Sequence, residues 1–112
     1  SRGGLSDAGL RRVVEFVEEN LHRDITLCDL GALVHMGPDV FSRGFKRRLG
    51  VPPHRYLTER RMRRARLLLA AKEHSIAEIA LIVGFSSQSH FTTRFGRLFN
   101  VTPGAFRALH QL

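Results

Sequence analysis

Two stretches of this chain are spelled alike, and that duplication limits the fold more than any other feature. "TLCDLGALVHM" and "SIAEIALIVGF" pair Leu27 with Ile76, Leu30 with Ile79, Gly31 with Ala80, Val34 with Val83 and Met36 with Phe85, each offset by forty-nine. Beyond these stretches the offset becomes fifty: Phe41 with Phe91, Phe45 with Phe95, Arg47 with Arg97, Gly50 with Asn100, Val51 with Val101 and Pro53 with Pro103. The second copy therefore has a turn longer by one residue. Solenoids need about three or more units to bury a continuous core. Two copies in 112 residues make a duplicated module.

Helical periodicity dominates and strand signals are scarce, so an all-α chain of seven helices is expected. Ser6 caps the first, whose apolar residues Leu10, Val13, Val14, Val17 and Leu21 recur at three and four. The second starts at Thr26, with Asp29 as a weaker capping-box partner, and ends near His35 to Gly37. Pro38 opens the third, which runs to Leu49 and stops at a left-handed Gly50. Pro53 opens a long fourth helix to about Ala71. Ser75 with Glu78 forms a capping box for the fifth, which Gly84 breaks. The sixth covers about Ser87 to Phe99 and ends at Asn100; Thr102 and Pro103 start the seventh. The organisation expected is two helix-turn-helix lobes, 6–52 and 73–112, joined by a linker helix, 53–72.

Each copy is thus a helix, a short turn and a second helix, with a small residue, Gly31 or Ala80, letting the second helix cross closely. That arrangement offers the second helix to a DNA major groove. Stepping about 100° per residue from Phe95, Phe91, Leu98 and Phe99 fall on an inward stripe, while Ser89, His90, Thr93 and Arg97 point away. In the first copy Phe41, Phe45 and Leu49 point in, and Asp39, Val40, Arg43, Lys46 and Arg47 point out. Ser, Thr and His hydrogen-bond to base edges without the indiscriminate pull of a lysine. About nineteen residues of linker helix span about 28 Å, close to the roughly 34 Å of one duplex turn. Two reading heads in successive major grooves are therefore expected.

Charge supports this reading. Residues 1–36 hold four arginines against six acids, a balance of −2, whereas residues 37–112 hold fourteen basic residues against four acids, a balance of +10. Such asymmetry is a footprint for a polyanion. Within "RRMRRAR", Met62 and Ala65 lie inward with Leu68 and Leu69, most arginines form a solvated face, and Arg61 pairs with a carboxylate inside the domain.

The stretch from about Ile25 to Arg107 resembles the DNA-binding domain of the AraC/XylS family of bacterial transcription regulators, through "FSRGFKRRLGVPP", "ERRMRRARLLL", "SIAEIALIVGFSSQSHFTTRF" and "VTPGAFR" in order and spacing. The resemblance implies a bilobed, seven-helix domain that binds double-stranded promoter DNA, activates by contacting RNA polymerase, and works in the cytoplasm at the nucleoid. It also implies an N-terminal sensing or dimerisation domain outside this chain, consistent with the absence of a starting Met. Carried over by position, base readers fall on Asp39, Ser42 and Arg43, and on Ser89, His90 and Thr93. The sequence departs from the family at Asn100 and Gly37, where Gly and Ser are usual, and at Gly96, where a basic residue is usual.

Arg43 is read as bidentate to a guanine. Asp39 accepts from a cytosine amine or merely complements a helix dipole. His90 reads a base or sits against the backbone. Ser42 lies on the flank of its helix. Lys46, Arg47 and Arg97 leave the recognition helices toward phosphates, and Gln88 is assigned with them. The phenylalanines face inward and are no stacking platform for single strands.

Other classes fit less well. A basic RNA-associated protein would explain the charge but not the duplicated turns. No Gly-rich phosphate loop, paired catalytic carboxylates or nucleophile elbow suggests an enzyme. The histidines lack ligand spacing, so no metal or other cofactor is expected. Nothing spans a membrane, and the long helix needs its apolar stripe for the core. Cys28 stands alone, which rules out an internal disulfide.

Overall fold

Helix starts dictate most of the architecture. The computed structural model describes residues 4–110, which form α1 (Asp7–Glu19), α2 (Leu27–Leu33), α3 (Pro38–Leu49), α4 (Pro53–Ala71), α5 (Ile76–Ile82), α6 (Gln88–Phe99) and α7 (Pro103–Leu109). No strand occurs among the described residues, and no helix is long and apolar enough to cross a membrane. Ser6, Ser87 and Thr102 each accept, on the side-chain oxygen, the N–H three residues on, at 3.0–3.1 Å. These bonds satisfy donors that the helix itself leaves unpaired.

Both short leading helices carry complete capping boxes. Asp29 N–H donates to Thr26 Oγ1 at 3.1 Å, and Thr26 N–H donates to Asp29 Oδ2 at 3.0 Å. Glu78 N–H donates to Ser75 Oγ at 3.1 Å, and Ser75 N–H returns to Glu78 Oε1 at 2.7 Å. Asp29 is therefore a full partner rather than a weaker one. In both boxes the hydrogen bonds to the charged carboxylate, chiefly from the backbone N–H, hold its pKa below the ordinary value.

The two copies also end their leading helices alike. Met36 N–H bonds to Gly31 O at 2.9 Å and His35 N–H to Ala32 O at 3.4 Å; the counterparts are Phe85 to Ala80 at 2.8 Å and Gly84 to Leu81 at 3.0 Å. This is the Schellman pattern, and it requires a left-handed residue, supplied by His35 at φ 58° and Gly84 at φ 91°. The second helix consequently stops at Leu33 rather than near His35 to Gly37. The close approach expected at Gly31 is to this turn: a Cβ there would lie 2.3 Å from the Met36 carbonyl oxygen, with Gly37 O also near.

The described chain divides within α4, between Glu59 and Arg60, into two compact units. In the first, Leu5, Val13, Val17, Leu21, Leu30, Phe41, Phe45 and Leu57 form the core. Leu21 belongs to it from a turn, since α1 ends at Glu19. Arg12 donates to Leu33 O at 3.0 Å, while Arg48 reaches back to Leu5 O and the Asp7 carboxylate.

In the second unit Met62, Ala65, Leu69, Ile79, Ala80, Val83, Phe91 and Phe95 are buried. Leu68 packs against them half-buried, and Arg63, Arg64 and Arg66 are exposed. Arg107 donates to Leu69 O at 3.1 Å and to His74 O, pinning α7 to carbonyls at and beyond the end of α4.

Leu49 and Leu98 correct the inward stripe, being 37% and 44% exposed. Each faces inward by angle but sits in the last turn of a 12-residue helix whose leading partner has only 7 residues. At about 18 Å against about 10 Å the trailing helix outruns its leading partner. In α6 it is Phe99 that packs on the core from the last turn, against Phe95.

Two outcomes follow from these turns. Gly31→Ala should destabilise the chain by about 1–3 kcal/mol, because a backbone oxygen must move; an unchanged denaturant midpoint would refute the close contact. The capping carboxylates have depressed pKa values when folded, so their contribution is complete above the ordinary carboxylate range and is lost as pH falls through the folded values. Acid titration should lower the melting temperature across that range, and Glu78→Gln should remove part of the decline.

Candidate nucleic-acid interface

The trailing helices α3 and α6 each bury a phenylalanine pair, and the pair decides what the opposite face carries. Phe41 and Phe45 are 0% and 1% exposed, and Phe91 and Phe95 are both 0%. Within each pair the ring centroids stand 5.6 and 5.7 Å apart. Phe45 meets Tyr56 edge-on at 5.4 Å. Phe95 meets Phe99 at 4.7 Å and Phe106 at 5.7 Å. Residues four apart share a helix face, so each pair clamps one side of its helix and turns the other outward.

On α3 the outward side carries Asp39, Val40, Arg43, Lys46 and Arg47, all exposed. Asp39 lies in the first turn and Lys46 and Arg47 in the last, arrangements that also suit the helix dipole. Ser42 is half-buried beside Phe41, on the flank as its angular position implied. Arg48, next to Arg47, is drawn back to Leu5 and Asp7 and so is withdrawn from the outward set.

On α6 the exposed polar and charged residues are Gln88, Ser89, His90, Thr93 and Arg97, with Leu98 exposed beside Arg97 in the last turn. Thr93 donates its hydroxyl proton to Ser89 O at 3.1 Å. Outward it therefore presents a lone pair and a methyl group rather than a donor. The His90 ring meets the Phe85 ring edge-on, centroids 5.2 Å apart and planes at 83°, while its backbone N–H is held by Ser87. Phe85 also packs on Phe91 at 5.6 Å, so His90 rests on a ring anchored in the core. Gly96 is half-buried, and a Cβ there would meet nothing within 4 Å.

Each of the ten candidate side chains thus has a place on one of two helices: Asp39, Ser42, Arg43, Gln88, Ser89, His90 and Thr93 toward the front, and the cations Lys46, Arg47 and Arg97 in the last turns. One exposed residue had been placed outward by angle without a role. Val40 is 45% exposed, on the same side as Arg43. The signal that marks it is the repeat, which sets it opposite His90. Arg66 lies over the Phe99 ring at 4.7 Å, a stacking that charge patterning alone does not reveal. Among the described residues no group of three or more His, Cys, Asp or Glu could hold a metal ion.

Comparison with known proteins places this geometry. Residues 30–109 match a family described as "Helix-turn-helix domain". The chain is 36% identical over 103 residues to the HTH-type transcriptional regulator ExsA of Pseudomonas aeruginosa, covering 92% of the chain and 37% of ExsA. It spans about a third of the length of the curated relatives it matches, between 33% and 37% for the first three.

A solved regulator from Chromobacterium violaceum with an AraC-type DNA-binding domain superposes with a TM-score of 0.84 at 35% identity, covering 92% of each chain. The DNA-binding domain of AdpA, solved in complex with a target DNA, superposes at 0.85 with 30% identity over 94% of each chain.

Proposed function

The chain belongs to the AraC-type helix-turn-helix family, and on that premise we propose that it binds double-stranded promoter DNA sequence-specifically and regulates transcription. One observation carries the reading: two helices, each fixed in rotation by a buried phenylalanine pair, turn a largely polar and charged face outward, with cations in the last turn of each. This family is not enzymatic, and the RNA-associated alternative finds no support among relatives named as transcription regulators or in a domain solved with DNA.

In this reading the front turns of α3 and α6 enter the major groove. Arg43 forks onto the O6 and N7 of a guanine. Asp39 accepts from a cytosine amine, and Ser42 reaches a base from the flank. Thr93 offers its lone pair and methyl, Ser89 its hydroxyl, and His90 a ring nitrogen steadied by Phe85. Lys46, Arg47 and Arg97, with Gln88 at the first turn of α6, meet phosphates, which position the protein without reading sequence. The balance of +10 over residues 37–112 makes the binding steeply salt-dependent.

Further parts of the proposal concern the whole protein. The lobes are 6–52 and 73–112, with 53–72 as the spacer. The site has two boxes in successive major grooves, one for each presented helix. The full-length protein carries a sensing or dimerisation domain N-terminal to this one, activates through RNA polymerase, and acts in the cytoplasm at the nucleoid.

Selection of random duplexes by the purified domain should return two short boxes about one turn apart; no preference would contradict the reading. On the preferred site Arg43→Ala should cost about 1–3 kcal/mol and relax one base pair. An equal loss on every sequence would make Arg43 a phosphate contact instead.

A further inference from the structure

Val40 is a hydrocarbon in a position where its neighbours are chosen for polarity or charge. It occupies the first turn of α3 between exposed Asp39 and fully buried Phe41, with exposed Arg43 three residues on. A single exposed valine is ordinary on a protein surface; what sets this one apart is its station. The offset of fifty pairs Val40 with His90, so the same place on the two presented helices holds an imidazole in one copy and two methyl groups in the other. A β-branched residue is also a poor choice for a solvated helix turn, because its side chain is held to one rotamer there. That stiffness is an advantage for a contact, since the methyls are already aimed.

We infer that Val40 is a base-reading residue of the first unit, specific for the C5-methyl of thymine. The inference rests on the DNA-binding reading above. Valine has no donor or acceptor, and the thymine methyl is the one hydrocarbon group that base pairs show in the major groove. Side chains three apart on a helix stand about 5–6 Å from each other, and base pairs are stacked at about 3.4 Å. The thymine therefore lies within about two base steps of the guanine pair that Arg43 reads.

The test uses the preferred duplex returned by selection, with each thymine of the first box replaced singly by deoxyuridine, which lacks only the methyl. Wild-type protein should lose about fourfold in affinity at one thymine inside that window, the worth of one buried carbon. Val40→Ser should bind the parent duplex more weakly by a similar factor and lose nothing further with deoxyuridine at that position. Its melting temperature should stay close to wild type, because the side chain is exposed. A preferred site without thymine in the window, no loss with deoxyuridine, or the same loss in both proteins would each overturn the inference while leaving the DNA-binding reading intact. Absence of any preferred duplex would remove that reading itself, and the inference with it.

Discussion

Burial of two phenylalanines four residues apart is the interaction on which the rest depends. It occurs twice, on α3 and on α6, and it fixes the rotation of each helix about its own axis. Full burial of such a side chain contributes about 1.5–3 kcal/mol. Turning α3 by one residue would expose Phe41 and carry Ser42 further into the apolar core, with an unpaired hydroxyl costing a further 1–3 kcal/mol or so. The two penalties add, so no neighbouring rotation competes. The side chains that face outward are selected by what the inner face refuses to release.

The repeat shows how far such a module bends without losing that register. The connection between α2 and α3 has four residues, 34–37, and that between α5 and α6 has five, 83–87. Both keep the same Schellman bonds, so the extra residue falls after the helix stop and leaves the core spacing alone. The copies solve the left-handed position differently. Gly84 adopts it without a Cβ penalty, whereas His35 is an L-residue held there by the bonds around it. Arg48 and Arg107 serve each unit in parallel ways, donating to backbone carbonyls that no helix satisfies.

Much of this was legible in the sequence because it is local. Ser6, Ser75, Ser87 and Thr102 announce helix starts by chemistry acting over three residues, and Pro38, Pro53 and Pro103 sit where a missing N–H costs nothing. The phenylalanine stripe follows from a period of 3.6. What escaped depends on which atoms actually meet, often between residues only four or five apart, and a helical period does not encode that. The exposure of Leu49 and Leu98 depends on what packs against the last turns of α3 and α6, which an angular projection of one helix cannot contain. Gly31 was seen to need space, but the atom that needs it is the Met36 carbonyl oxygen. Thr93 spends its proton on Ser89, and Phe85 supports His90; both alter what the outward face can offer. The candidate residues could be named from pattern, whereas their donor and acceptor roles needed coordinates.

The account's central claim is that two separately anchored helices each address their own stretch of major groove. Guanine N7-methylation interference on the bound duplex measures this directly, since N7 lies on the major-groove edge. Two clusters of interfering guanines are predicted, one weakened only by substitutions on the outward face of α3 and the other only by those on α6. A single cluster sensitive to both helices, or no interference at N7, would contradict it.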